Sequence, residues 1–330
     1  MKPYSLVLAT LLLLFPLSAA GQQKDSFWRD LNAFLDMRAD KAYAKTDTTY
    51  VGRYPYKWDS RVFYKSTGLH MVSTFGNNLS LSTGMCHRAG LGISYRGLGL
   101  SYSHAIGKKI NLDLGIDSYG KHFCFEYALK ATTGIQGSLL DEADSSEGDP
   151  MLLSSKLNLF YSFNPRFSYA AAMKQSKIQR RSAGSFIAAI SWWAWDIILL
   201  DENPSLMDFY EYNYFYQRFS IGAGYGYNLV LGRQHWLLHA SLVPMWSVYE
   251  MQGWRRKEVK ERDNYPYGKI AFSGTARAGV YYRWGTRWSI GFSGTVNQLA
   301  SVNRFSSKNP DYKRFGAQEW QMNLTLLCRF

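Results

Sequence analysis

His239-Ala240-Ser241 places an imidazole two residues from a hydroxyl. On an extended chain, residues i and i+2 project from one face, so the ring can take the hydroxyl proton. The oxygen left behind is a nucleophile for acyl transfer, provided that a third polar group orients the ring. Leu237 and Val243 share this face, while Trp236, Leu238, Leu242 and Trp246 fall opposite. The pattern is short, and no Asn/Gly/Arg continuation of the phospholipase kind follows it. A polar wall lining explains the pair more economically. A lipid hydrolase using His239 and Ser241 stands as the alternative.

No other stretch offers stronger chemistry. His70, His87, His104, His122 and His235 show no HExxH or similar spacing, and Cys86, Cys124 and Cys328 are far apart with no CxxC. Neither a metal site nor a cofactor is expected, and an odd cysteine count cannot be fully paired. The glycines of GLGISYRGLGLS (90–101) sit on a strand hairpin with no helix following, which excludes a dinucleotide loop. DEADSSEGD (141–149) is dense in carboxylates without EF-hand spacing and reads as a solvated loop. WRRKEVKER (254–262) offers guanidinium and ammonium groups to lipopolysaccharide phosphates, with an ordinary solvated loop as the plainer reading.

The elements that position these residues are strands. In EWQMNLTLLCRF (319–330), Trp320, Met322, Leu324, Leu326, Cys328 and Phe330 share one face. Gln321, Asn323, Thr325 and Arg329 share the other, and Leu327 is the misfit. The same period of two runs from about residue 60 onward. Short turns at 231–234 and 284–287 alternate with long charged loops at 250–267 and 303–316. Aromatics are 16% of the chain, many of them near strand ends, although mean hydropathy is slightly negative. Alternation reconciles these facts, because lipid-facing residues interleave with polar lumen residues in a transmembrane barrel.

The expected fold is therefore all-β, an antiparallel transmembrane β-barrel. Thirteen segments can be read, but both termini on one side require an even number. Joining 167–174 to 183–195 gives twelve strands, the preferred count; adding 206–216 gives fourteen. Glu126, Lys156, Arg277 and Arg283 are expected to face the lumen and favour anions, with inner-face Gly and Ser leaving space. Trp320, Met322, Leu324, Leu326 and Phe330 present the alternating apolar face and final aromatic that barrel-assembly machinery recognises.

The other end reads MKPYSLVLATLLLLFPLSAAGQQ. A lysine, an apolar run and Ser18-Ala19-Ala20 make a signal peptide cleaved after Ala20. Residues 21–59 then form an N-terminal periplasmic segment with a short amphipathic helix, carrying Phe27, Leu31, Phe34 and Leu35, and 60–330 form the barrel. Losing Lys2 lowers the net charge from +13 to +12. For an exported chain, that charge suits outer-membrane lipids, lipopolysaccharide or anionic solutes rather than nucleic acid. The location expected is the outer membrane of a Gram-negative bacterium, and the role a small pore or structural barrel. A surface protein acting through its long loops is a further alternative.

YRGLGLSYS (95–103), SYGKHFCFEY (118–127), FNPRFSYAAAM (163–173) followed by QRRSAGS (179–185), and GYGYNLVL (224–231) resemble an uncharacterised family of outer-membrane barrels, classed as a domain of unknown function. The resemblance starts near Asp47-Thr48-Thr49-Tyr50 and covers most of the mature chain. It implies location and fold, and assigns no catalytic or binding residue.

Overall fold

A computed structural model describes residues 24–73, 79–107, 111–136, 151–199, 212–255, 270–302 and 314–330. The expected signal peptide with its cleavage site Ala20, the acidic stretch 141–149 and most of 254–262 lie outside these residues. Helix α1 (Lys24–Ala44) forms where the apolar positions repeat at helical spacing, and it falls in a unit separate from the strands. No described helix is long and apolar enough to cross a membrane.

The second unit, Thr46–Phe330, is built of strands. In chain order they are β1 (Val51–Arg53), β2 (Trp58–Ser73), β3 (Leu79–Ser82), β4 (Cys86–Tyr95), β5 (Leu98–Ala105), β6 (Asn111–Tyr119), β7 (Phe123–Thr133) and β8 (Met151–Ser162). There follow the short helix α2 (Tyr169–Met173), then β9 (Lys177–Gln179), β10 (Ala183–Leu199), β11 (Tyr212–Leu231), β12 (Trp236–Arg255), β13 (Ile270–Trp284), β14 (Trp288–Val302) and β15 (Arg314–Arg329). Successive wall strands pair antiparallel, and β15 pairs back onto β2 from Phe315↔Ser73 to Arg329↔Asp59. This closes a twelve-stranded barrel, with β3 an additional strand against one end of β2 and β1–β9 a separate two-stranded sheet. Trp58 and Phe330 exchange backbone hydrogen bonds at 3.0 and 3.1 Å, so the last residue completes the seam. A closed ladder leaves no unpaired edge.

The faces sort as the alternation predicts. Phe186 is 70% exposed and Leu242 62%, and Leu91, Phe292, Met322, Leu324 and Leu326 are likewise exposed on the outside. Trp58, Trp236, Trp284 and Trp288 ring the short-turn end, with Trp284 and Trp288 stacked at 6.5 Å. Such amphipathic rings belong at a membrane–water interface. Asn158, Ser191, Asn228, Thr275 and Asn297 are buried on the inside. Leu327 fits this pattern as an inner residue, 1% exposed.

Two expectations are corrected. Residues 167–174 are not strand: they carry α2, on a segment that leaves the wall after β8 and rejoins it at β10. The count of twelve holds because Tyr212, Tyr214 and Tyr216 belong to β11. Nor do the inner glycines all leave space. A Cβ on Gly222 would lie 2.2 Å from Pro244 O, and one on Gly224 2.0 Å from Leu242 O. Pro244 has no N–H to give the ladder, the β11–β12 pairing is interrupted beside it, and the β12 backbone fills the room that these glycines vacate. Gly92 likewise lies under the Arg61 side chain.

Candidate functional site

The barrel lumen is closed at both ends around a charged middle. The turn-end closure is the segment 163–182. Asn164 starts it by donating Nδ2–H to Gly184 O at 2.6 Å and accepting from Arg166 N at 3.0 Å. Ser168 caps α2, its hydroxyl accepting from Ala171 N at 3.1 Å. Three alanines and Tyr169 make the helix narrow enough to sit inside the wall, and all four are buried. Phe167, Tyr169 and Ala170 pack against Tyr119, Cys124, Phe160, Ile187, Val243 and Met245, which project inward from five different strands. We call this segment the plug.

Polar groups fix the plug to the wall. Asn228, fully buried on β11, donates to Ser168 O and to Gln179 Oε1, both at 3.0 Å. Arg329, on β15 across the lumen, donates to Gln175 O at 2.7 Å. The Lys174 ammonium pairs with Asp117 on β6, which Arg61 on β2 also reaches at 3.3 Å. Beyond the plug, residues 46–57 cross the turn end as a strap, joined to it by the β1–β9 pairing. Arg166 donates to Asp47 at 3.2 Å, and Tyr50, Tyr54 and Tyr56 lie beneath the guanidinium groups of Arg166, Arg329 and Arg287. Hydrogen bonds from Thr49, with Arg166 adding to them, hold the Asp47 carboxyl below its ordinary range.

The loop-end closure is made of side chains from the wall itself. Trp193, Trp195, Tyr214, Tyr216 and Phe315 all turn inward and are buried together with Met71, Leu152 and Leu299. Tyr216 stacks on Phe315 at 4.3 Å and on Trp195 at 5.2 Å. Arg218 and Glu250 form a buried pair beside them at 3.0 Å, and the Tyr216 hydroxyl donates to the same carboxylate at 3.1 Å.

Between the closures lies a cavity of about 200 Å³, adjoined by one of about 120 Å³. Its wall carries Lys130 and Lys156, both paired to Glu319; Lys65, paired to Asp113 at 2.7 Å; and Arg277. Arg277 grips Glu126 in a two-point contact at 2.7 and 2.6 Å, and its guanidinium also covers Phe160 at 4.6 Å and Tyr169 of the plug at 5.6 Å. Of the charges expected in the lumen, the structure therefore places Glu126, Lys156 and Arg277 on this chamber. Arg283 lies apart, at the turn end, donating to Gln234 O at 2.7 Å and to the Tyr54 hydroxyl at 3.5 Å.

His239 and Ser241 do face inward, and a third group joins them. His239 Nε2 lies 3.0 Å from Ser241 Oγ, and His239 Nδ1 lies 2.7 Å from Asn228 Oδ1. Because Asn228 spends its Nδ2 on the plug, its oxygen accepts from Nδ1–H and leaves Nε2 to accept from the serine. This is the order of groups that activates a hydroxyl. However, Phe167 and Tyr169 pack on the imidazole at 6.1 and 5.6 Å, and none of the three constituents lines the cavities above. As it stands, the constellation links wall to plug. Sequence reading missed Asn228 because it sits on β11, opposite His239 in the register. The GYGYNLVL stretch put a lone polar side chain on an inner face, and that was the available signal.

An outward apolar belt, aromatic rings, a closed twelve-stranded wall and a polar lumen define an outer-membrane-type transmembrane β-barrel. The chain belongs to the family described as Domain of unknown function (DUF4421), whose model matches residues 45–316. None of the curated proteins matches it. Among solved structures, the translocator domain of autotransporter NalP from Neisseria meningitidis is similar at 11% identity and TM-score 0.38, covering 94% of this chain and 100% of that one. An outer-membrane channel from Pseudomonas putida F1 gives 11% and 0.32, over 85% and 98%. The Pseudomonas putida toluene transporter TodX gives 7% and 0.27, over 84% and 90%. At such TM-scores these likenesses carry no argument, and the fold rests on this chain's own register.

Proposed function

We propose that the protein is a small-solute channel of the outer membrane, closed at rest by the plug and by the loop-end aromatic cluster. The observation that supports it is the chamber. A barrel serving only as a scaffold is filled by side chains, whereas this lumen keeps a charged volume of about 200 Å³ between two separate closures. Besides its apolar packing, the plug is held by single hydrogen bonds and ion pairs to several strands, contacts that can be made and released. The stretches that carry the family resemblance also fall on the plug, the strap and the hairpins that receive them. On this reading a signal peptide cleaved after Ala20 exports the chain to a Gram-negative outer membrane, and the turn end faces the periplasm.

Planar-bilayer recording tests the channel. The folded native barrel is expected to be silent apart from brief openings. Replacing residues 166–181 by an Asn-Gly turn, together with Phe315→Ala at the other closure, should give steady conductance steps. If that variant shows the heat-dependent gel shift of a folded barrel and still carries no current, the channel reading is lost.

The His239–Ser241–Asn228 geometry supports a second reading, a lipid hydrolase that acts only when the plug withdraws. It ranks lower because Phe167 and Tyr169 pack on the His239 imidazole and none of the three residues lines the chamber.

A further inference from the structure

Lys130 and Lys156 share one carboxylate, that of Glu319, and Arg61 and Lys174 share another, that of Asp117. Lys65 takes Asp113 and Arg277 takes Glu126. Five cations line the larger cavity, Lys65, Lys130, Lys156, Lys174 and Arg277, against four carboxylates, Asp113, Asp117, Glu126 and Glu319, an excess of one cation among the described residues. All of these side chains are at least largely buried, the cations between 5% and 21% exposed. A buried positive excess is costly, and a protein relieves it by pairing or by losing a proton. The chamber has the room for pairing. At roughly 30 Å³ per water it accommodates on the order of six waters, enough for a small ion with part of its hydration shell.

We infer that this chamber binds a small oxyanion, held by Lys156 and Lys130 on one side and by Lys174 and Arg277 on the other. All four line the same cavity. Glu126 takes one N–H from each terminal nitrogen of Arg277, and each of those nitrogens carries a second N–H. Thr295, Gln321 and Asn323 add neutral polar groups to the wall. At about 200 Å³ the chamber excludes a large organic ligand, and those four cations favour an ion of the size of phosphate or a short carboxylate. Lys156 is the residue through which to test the site. It contributes the longer contact to Glu319, at 3.3 Å, and Lys130 continues to satisfy that carboxylate without it. The inference deepens the channel reading by naming its solute class.

The test is equilibrium binding of inorganic phosphate to the folded barrel in detergent, with acetate as a parallel probe and chloride at matched ionic strength. Native protein should bind one oxyanion per barrel and unfold at a higher temperature as it does so. Lys156→Gln should stay folded by gel shift and bind at least tenfold more weakly. Preference for phosphate or for acetate distinguishes the two oxyanion types. Absence of both binding and thermal shift in native protein overturns the inference. Because this measurement needs no current, it separates from the channel test. Binding in a barrel that never conducts would leave the site and remove the channel, and conduction without binding would do the reverse.

Discussion

Glu126→Leu is expected to destabilise the barrel by about 3–5 kcal/mol, the cost of leaving a buried charge without its partner. Arg277 is 5% exposed, and the Glu126 carboxylate receives both of its terminal nitrogens. The wall around it cannot substitute: the other chamber carboxylates, Asp113, Asp117 and Glu319, already serve Lys65, Lys174, Arg61, Lys130 and Lys156. The Tyr119 hydroxyl also donates to Glu126 and would lose its acceptor. A shift of the urea unfolding midpoint in lipid or detergent measures the loss. The double change Glu126→Leu/Arg277→Met should recover most of it, since removing both charges removes the unpaired one. Full recovery is not expected, because the guanidinium also covers Phe160 and Tyr169. A single substitution that leaves the midpoint unmoved would show that the pair is solvated, and the chamber would then be open to water through one of its closures.

The wall was legible in the sequence because alternation is a local signal. Each of Leu324, Leu326 and Phe330 declares its face through its neighbours two residues away, and closure follows once the last strand has a face to match. The plug was not legible. Its Tyr169-Ala170-Ala171-Ala172 run is short, and its last two turns of chain look like a weak strand or a weak helix alike. What decides for helix is the Ser168 cap, a single-residue signal, and burial inside a ring of other strands, which is not written within the segment. The site divides in the same way. His239 and Ser241 announce themselves by adjacency, while Asn228 joins them only through the β11–β12 register. Lys156 and Arg277 were readable as inner-face charges. That each is neutralised by a partner far away in sequence, Glu319 and Glu126 respectively, is tertiary information. The same holds for inner glycines such as Gly224, whose apparent space is taken by the β12 backbone.

Asn228→Leu is expected to release the plug. The substitution strips acceptors and donors at once: Ser168 O and Gln179 Oε1 each lose one of their two donors, and His239 Nδ1–H loses its acceptor. The unpaired Nδ1–H costs about 1–3 kcal/mol and the two lost hydrogen bonds about 0.5–1.5 kcal/mol each, so the plug-seated state should lose about 3 kcal/mol. At about 1.4 kcal/mol per tenfold, the displaced population should rise on the order of a hundredfold. Hydrogen exchange reads this directly, because the amides of Ala171, Ala172 and Lys174 are protected by Ser168 Oγ, Ser168 O and Ala170 O. They should exchange about a hundredfold faster, while amides of the β14–β15 ladder stay slow. If the whole barrel loosens together, the plug is part of the wall's folding unit and not a gate. Ser241→Ala is the companion measurement. It removes only the hydroxyl bonded to His239 Nε2, which touches the plug less directly, and should leave both exchange and membrane lipid composition unchanged. Lipid hydrolysis that appears in the Asn228→Leu background would not be expected either, since that change also removes the group orienting the imidazole. The hydrolase reading therefore needs a different displacement of the plug, such as excision of 166–181 with Asn228 intact. Hydrolysis there that vanishes on adding Ser241→Ala would turn the plug from the gate of a channel into the cover of a nucleophile.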